Sequence, residues 1–206
     1  MIINLSHQKG GVGKSTLATN IGVELKSVII DLDSQKSSVI WNKQRAKKGL
    51  ETLEVEGIAD ITELKESLKK HEGKTIVIDS GGYDSNLMRM AILEADIIIT
   101  PVAPSPIEVV GLQNYQRILE EISEEMGQIY KTNVIINNAD GRSQAGIDTV
   151  REFVEQHPKH MSLLETVIYS RLDYKKAYGV GEAVTEYNPT GKAASEIQEL
   201  CRELSE

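Results

Sequence analysis

Cysteine is almost missing from this chain: Cys201 is the only one in 206 residues. A lone thiol builds neither a disulfide framework nor a C-x-x-C metal site, so a reducing compartment suits the protein. Long apolar runs are missing too, and nothing approaches the roughly 18 consecutive apolar residues that span a bilayer. No basic stretch followed by an apolar segment opens the chain, so no signal peptide is expected. Basic charge is in deficit, with 23 Lys and Arg against 31 Asp and Glu and a net charge of −8. That balance argues against a uniformly basic nucleic-acid binder, although a local basic patch needs only a few well-placed side chains. The rest is ordinary, 40% hydrophobic and 26% charged. Residues 1–206 therefore read as one α/β domain with a single core.

What is present is concentrated at the start. Ile2-Ile3-Asn4-Leu5-Ser6 reads as a short buried strand, and Leu17 to Leu25 has the apolar spacing of a helix. Between them runs His7-Gln8-Lys9-Gly10-Gly11-Val12-Gly13-Lys14-Ser15-Thr16. Strand, glycine-rich turn, lysine, hydroxyl and helix is the layout of a phosphate-binding loop. Gly10, Gly11 and Gly13 let the backbone wrap phosphate oxygens with its N–H groups inward, and the helix N-terminus adds to the field. Residues Gly10, Gly11, Val12, Gly13, Lys14, Ser15 and Thr16 are the expected nucleotide-binding set. Lys14 would reach the β- and γ-phosphates, and the Ser15 hydroxyl would ligate Mg²⁺.

One glycine of the usual G-x-x-x-x-G-K-[ST] pattern is absent: its place holds Gln8, leaving K-G-G-x-G-K-[ST] with a second lysine, Lys9, ahead of the glycines. This form resembles the deviant phosphate loop of the ParA/MinD family of ATPases. The resemblance implies that Lys9 crosses a dimer interface to touch the partner subunit's nucleotide, so that Lys9 and Lys14 act on phosphate from two subunits.

Val28-Ile29-Ile30-Asp31-Leu32-Asp33 is a second apolar run, closed by acids, with Ser34-Gln35 after it. Carboxylates at the end of a strand beside a phosphate loop lie where doubly wound sheets bind ligands. By resemblance, D-x-D-S-Q corresponds to the family's D-x-D-P-Q. Asp33 would orient or activate the attacking water, and Asp31 would support the loop lysine and metal shell. A polar helix follows, carrying Trp41 and the basic cluster Lys43, Arg45, Lys47 and Lys48. Leu53 to Val55 is a possible strand and Ile61 to Leu68 an amphipathic helix. Thr75-Ile76-Val77-Ile78-Asp79 fits a Walker B strand, with Asp79 holding Mg²⁺ directly or through water. Ser80-Gly81-Gly82 stands where relatives often have Thr-Pro-Pro.

Asp96 to Ala103 is the next strand, and Pro104-Ser105-Pro106 stops it and presets a helix from about Ile107. P-V-x-P-S-P with Gly111 looks like the short partition ATPases, where this segment lies near the nucleotide base and the dimer interface. Thr132 to Asn138 is a further strand; by resemblance Asn137 or Asn138 meets the adenine edge. Gly141-Arg142-Ser143-Gln144 opens the next helix, with Ile147, Val150 and Val154 on its apolar face. Near the C-terminus come a strand at 165–170, an aromatic and basic helix start at 171–178, and a last helix from about Thr190 to Leu204. In partition ATPases this region binds non-specific DNA, which makes Arg171, Lys175, Lys176 and Lys192 candidates for phosphate contacts.

The strand–helix alternation supports an α/β fold, a doubly wound, mostly parallel sheet of about seven strands with helices on both faces. The resemblance implies ATP or ADP and Mg²⁺ as ligands, a homodimer formed on ATP, and an activating partner, either a centromere-binding protein or an adaptor. It also implies non-specific DNA as the matrix and a cytoplasmic, nucleoid-associated location. The alternative is an ATPase that positions a protein assembly or a polar or division cargo. No membrane partner is expected, because the last helix lacks a basic amphipathic face. Relatives that carry iron–sulfur clusters need paired cysteines, which Cys201 cannot supply.

Overall fold

The computed structural model describes residues 1–142 and 144–205; Ser143, placed by the sequence at a helix opening, lies outside the described residues. Seven strands form one sheet: β1 (Ile2–Leu5), β2 (Val28–Asp31), β3 (Val55–Gly57), β4 (Ile76–Asp79), β5 (Ile97–Val102), β6 (Thr132–Ala139) and β7 (Met161–Tyr169). Every pairing is parallel and the order is β3-β2-β4-β1-β5-β6-β7. The expected architecture is therefore borne out, with the whole sheet parallel. The third strand lies two residues beyond the 53–55 run, because Ile29 and Asp31 pair with Val55 and Gly57.

A parallel sheet needs crossovers and helices on both faces, so its inner strands are mostly apolar. Both requirements are met. On one face Ile3, Leu5, Val77, Ile99 and Ile135 meet α1 (Lys14–Glu24), α7 (Leu172–Val180), α8 (Val184–Tyr187) and α9 (Lys192–Glu203) through Leu17, Ile21, Ala177, Val184 and Ile197. On the other, Ile30, Ile76, Ile98 and Val134 point at α3 (Ile61–Lys70), α4 (Asn86–Leu93), α5 (Pro106–Met126) and α6 (Gln144–Glu155). Successive strand residues alternate between these cores, as the period of two requires.

The remaining helix among the described residues is α2 (Ser37–Lys47). Its basic cluster does not all face water. Arg45 is buried, pairs through both Nη atoms with Glu186 at 2.6 and 2.8 Å, and donates to the carbonyls of Glu51 and Gly181. Its guanidinium also lies 5.0 Å from the Trp41 ring centroid. Helical spacing gave Arg45 no apolar signature, and its burial is tolerated because its charge and donors are met. The chain steps outward from β1 to β2 and β3, returns to place β4 beside β1, and then builds away through β5, β6 and β7. Where those two directions part, the carboxyl ends of β1 and its neighbours leave a crevice.

Candidate functional site

The loop from β1 to α1 fills that crevice. Gly13, at the start of α1, has φ +99°, a left-handed conformation, and a Cβ there would fall 2.3 Å from Asn137 Nδ2. That amide is already engaged, donating to the Val12 carbonyl at 2.6 Å. Both backbone and neighbour thus demand glycine. No side chain caps the N-terminus of α1 and its first turn holds no acid, so its donors remain available to an anion.

Around this loop the structure buries charge. Lys14 is only 6% exposed, and its Nζ donates to the Lys9 carbonyl at 3.0 Å. Burial lowers the Lys14 pKa, with Asp79 and Asp33 opposing the shift. Beneath it His7 is fully buried, stacked on Tyr115 at 5.7 Å, with Nδ1 accepting the Lys9 N–H at 3.0 Å. Burial, then Lys14 and Lys9, push its pKa down to about 3, so the ring is neutral at neutral pH. The Lys9 side chain leaves the loop altogether and pairs with Glu108 Oε1 on α5 at 2.5 Å.

Two carboxylates complete the floor. Asp31 and Asp79 are register partners at the ends of β2 and β4, and both are fully buried. Asp31 accepts the N–H groups of Asp33, Ser38 and Val39 at 3.1, 2.9 and 3.1 Å. Burial raises its pKa against those bonds and Lys36. Asp79 Oδ2 accepts the Ser38 hydroxyl at 2.7 Å, whereas its Oδ1 is buried without a partner among the described residues. Burial, then the adjacent Asp31, push the Asp79 pKa up to about 7, with the Ser38 and Ser15 hydroxyls opposing. A buried carboxylate oxygen left free beside a hydroxyl and a second acid is the hard-oxygen donor set that suits Mg²⁺. Asp33 stands apart, half-buried, with Oδ1 accepting the Gln35 N–H at 2.9 Å. After β4, Gly82 lies so near the phosphate loop that a Cβ would come within 3.0 Å of the Gly10 backbone.

Beside the loop opens a cavity of about 230 Å³, walled by Gly11, Gly13, Thr16, Asn137, Asn138, Tyr169, Arg171, Tyr174 and Lys175. Both asparagines reach it, but they differ: Asn137 is buried and braces the loop, while Asn138 is exposed with φ +57°. The basic candidates of the C-terminal region share one corner. Tyr174 on α7 donates to the Ala193 carbonyl on α9 at 3.3 Å, and Arg171 pairs with Glu196 on α9 at 2.5 Å. Lys175, Lys176 and Lys192 on these elements are exposed. Arg171 is partly covered, with its guanidinium 5.3 Å from the Tyr169 ring centroid.

Three residues here were not legible in the sequence. Ser38 joins the two buried acids, His7 supports Lys9, and Glu108 holds its side chain. Ser38 could have been suspected from its place soon after D-x-D-S-Q, and His7 from its place before the loop. Glu108 gave no local signal, since its partner is 99 positions away.

Comparison with known proteins agrees with this geometry. Residues 3–184 match the family model described as the CobQ/CobB/MinD/ParA nucleotide binding domain. "Protein ParA" of Rhizobium radiobacter is 32% identical over 130 residues, which span 58% of this chain and 57% of that protein. A "maintenance of carboxysome distribution protein A" of Halothiobacillus neapolitanus is 25% identical over 97% of this chain and 94% of its own. Among solved structures, the septum site-determining protein MinD of Pyrococcus horikoshii, complexed with Mg-ADP, superposes with TM-score 0.75 at 19% identity, covering 100% of this chain and 96% of that one. With most of its length matched by that model and its phosphate loop in place, the chain belongs to the CobQ/CobB/MinD/ParA nucleotide-binding domain family.

Proposed function

We propose that the protein is a slow, magnesium-dependent ATPase that pairs face to face on ATP, associates with DNA without sequence preference in that state, and partitions a cargo. One observation carries the reading: two lysines bracket the glycines and take opposite directions. Lys14 turns into the loop and Lys9 turns out of it. A lysine that a single subunit's loop does not use is free to serve a neighbour's phosphates. Family membership supports a nucleotide, and the Mg-ADP of the Pyrococcus structure supports adenine nucleotide with magnesium.

In this reading Lys14 and the backbone N–H groups from Gly10 to Thr16 hold the triphosphate, and Asn137 or Asn138 meets the adenine in the neighbouring cavity. Ser15 and Asp79 would hold Mg²⁺, with Asp31 steadying the shell through Ser38; the ion, when bound, neutralises charge on the β- and γ-oxygens. Asp33 orients the water for in-line attack on the γ-phosphorus. The partner subunit's copy of Lys9 stabilises the charge that develops there. Hydrolysis stays slow until a centromere-binding or adaptor protein engages the dimer. Arg171, Lys175, Lys176 and Lys192 contact DNA phosphates, a role that needs charge and no base readout.

A second reading keeps the enzymology and changes the cargo to a protein assembly. The relative named for carboxysome distribution, matched over 97% of this chain, favours it. No helix among the described residues is long and apolar enough to cross a membrane. The decisive measurement is ATPase rate with DNA co-sedimentation, in ADP and then in ATP, at two salt concentrations. Association that requires ATP and weakens with salt is expected. Association that is equal in ADP, or absent in ATP, removes DNA as the matrix and leaves the assembly-positioning reading.

A further inference from the structure

We infer that Glu108 is a latch that keeps Lys9 within its own subunit, and that breaking this pair sets the protein concentration at which the ATP-bound protein dimerises. The inference rests on the trans-acting role of Lys9 proposed above and adds its regulation.

Lys9 is held at three points. Its N–H donates to His7 Nδ1, its carbonyl accepts Lys14 Nζ, and its side chain pairs with Glu108. The first hold is independent of ligand, because His7 is buried and stacked on Tyr115. The second is the one a nucleotide removes. Charged phosphate oxygens outcompete a neutral carbonyl for an ammonium, so Lys14 turns to the phosphates and the Lys9 carbonyl is released. The third is then the one hold on the side chain itself. The Glu108 side chain is only 14% exposed and its Oε2 is buried without a partner among the described residues, where Lys9 is the cation that pairs with this carboxylate.

Pulling Lys9 away leaves that carboxylate short of compensation, which opposes release. Two features keep the cost finite. Glu108 lies in the first turn of α5, where the helix dipole favours negative charge. Beside it Ile107 and Val110 are 71% and 55% exposed, apolar surface whose burial by a second copy offsets the lost pair. The latch therefore holds in the free subunit, weakens when nucleotide draws Lys14 off, and yields when a second subunit covers the α5 face.

The test is sedimentation equilibrium of wild type, Glu108→Gln, Lys9→Ala and the double variant, each with Mg²⁺ and ATP or ADP, with thermal melts as a check on folding. Glu108→Gln keeps the shape and removes the charge. Its ATP-dimer is expected to form at roughly tenfold lower protein concentration than wild type, with dimer also detectable in ADP. In the double variant that gain is expected to vanish, because it passes through Lys9. Equal dimerisation of Glu108→Gln and wild type, with Lys9→Ala unable to dimerise, overturns the latch and leaves the trans-lysine reading standing. Weaker dimerisation of Glu108→Gln, or a gain that persists without Lys9, also overturns it. Wild-type dimerisation of Lys9→Ala overturns the trans-lysine reading, and the latch with it.

Discussion

The phosphate loop and α7 wall one cavity, yet the floor under the loop and the α7–α9 corner are built in opposite ways. The floor buries His7, Lys14, Asp31 and Asp79 almost completely, leaving Asp79 Oδ1 without a partner among the described residues. The corner leaves Lys175, Lys176 and Lys192 in water and pairs its arginine with Glu196. Buried charge lowers stability unless it is matched, so a floor like this one is maintained for a ligand. Exposed charge costs little and can be rearranged freely. Substitutions in the floor should therefore move stability and binding together. Those in the corner should move binding alone.

Gly13→Ala tests the floor hardest. It forces a side chain into a φ of +99° and into Asn137, and Asn137 is what braces Val12. A loss of about 2–4 kcal/mol is expected in urea unfolding, together with loss of detectable binding of a fluorescent ADP analogue. An alanine variant that binds nucleotide normally would show that the loop is looser than its geometry.

Asp79→Asn separates the two quantities the floor ties together. The folded pKa of Asp79, about 7, lies above its ordinary 3.8. Its stabilising contribution is therefore complete below the unfolded value and is lost as pH rises through the folded one. Asparagine is neutral throughout. In EDTA the variant should exceed wild type by about 2–4 kcal/mol near pH 8, and the gap should close towards pH 4. His7, whose pKa is pushed down to about 3, tilts both proteins the other way and cancels in the difference. Tighter folding with Mg-nucleotide binding lost is the expected pair of outcomes. A gap that does not depend on pH would mean that Asp79 is not strained by burial.

The two regions also differ in how far the sequence exposes them. The floor follows from local pattern: strand, glycines, lysine and hydroxyl stand within residues 2–16, and acids close two of the strands. Local pattern also predicts the alternation of elements, hence the fold. What it misses are pairings made only when distant segments meet, such as Lys9 with Glu108 and Arg45 with Glu186. Arg45 reads as one more surface cation in a run of lysines, and only the approach of α8 turns it inward. Charge and resemblance locate the corner's basic side chains but say nothing of which is already paired, as Arg171 is with Glu196.

Arg171 sits on the boundary between the two regions, so its replacement sharpens the contrast. Its pair with Glu196 is partly covered, with side chains 28% and 10% exposed. Tyr174 still bonds that carboxylate in its absence. Arg171→Ala should cost about 1 kcal/mol in thermal or urea unfolding and should weaken both nucleotide and DNA binding modestly. A variant that loses DNA binding with unchanged stability would move Arg171 into the same class as the lysines.

The smallest effect on the fold is expected from Lys175→Glu with Lys176→Glu. Both side chains are exposed on α7, and neither forms an ion pair within 4 Å among the described residues. Reversing them should leave stability within about 0.5 kcal/mol of wild type. ATP-dependent DNA association should nevertheless fall, because each phosphate contact removed releases about one counterion fewer. The slope of log affinity against log salt should drop by roughly 1 for each lysine that touches phosphate. Nucleotide affinity supplies the control: Lys175 lines the cavity beside the loop and Lys176 does not. If Lys175→Glu alone weakens nucleotide and DNA binding equally, its charge serves the nucleotide. If only Lys176→Glu lowers the salt slope, the DNA-facing side of α7 is the one turned away from the cavity, and the line between floor and corner runs between two adjacent residues.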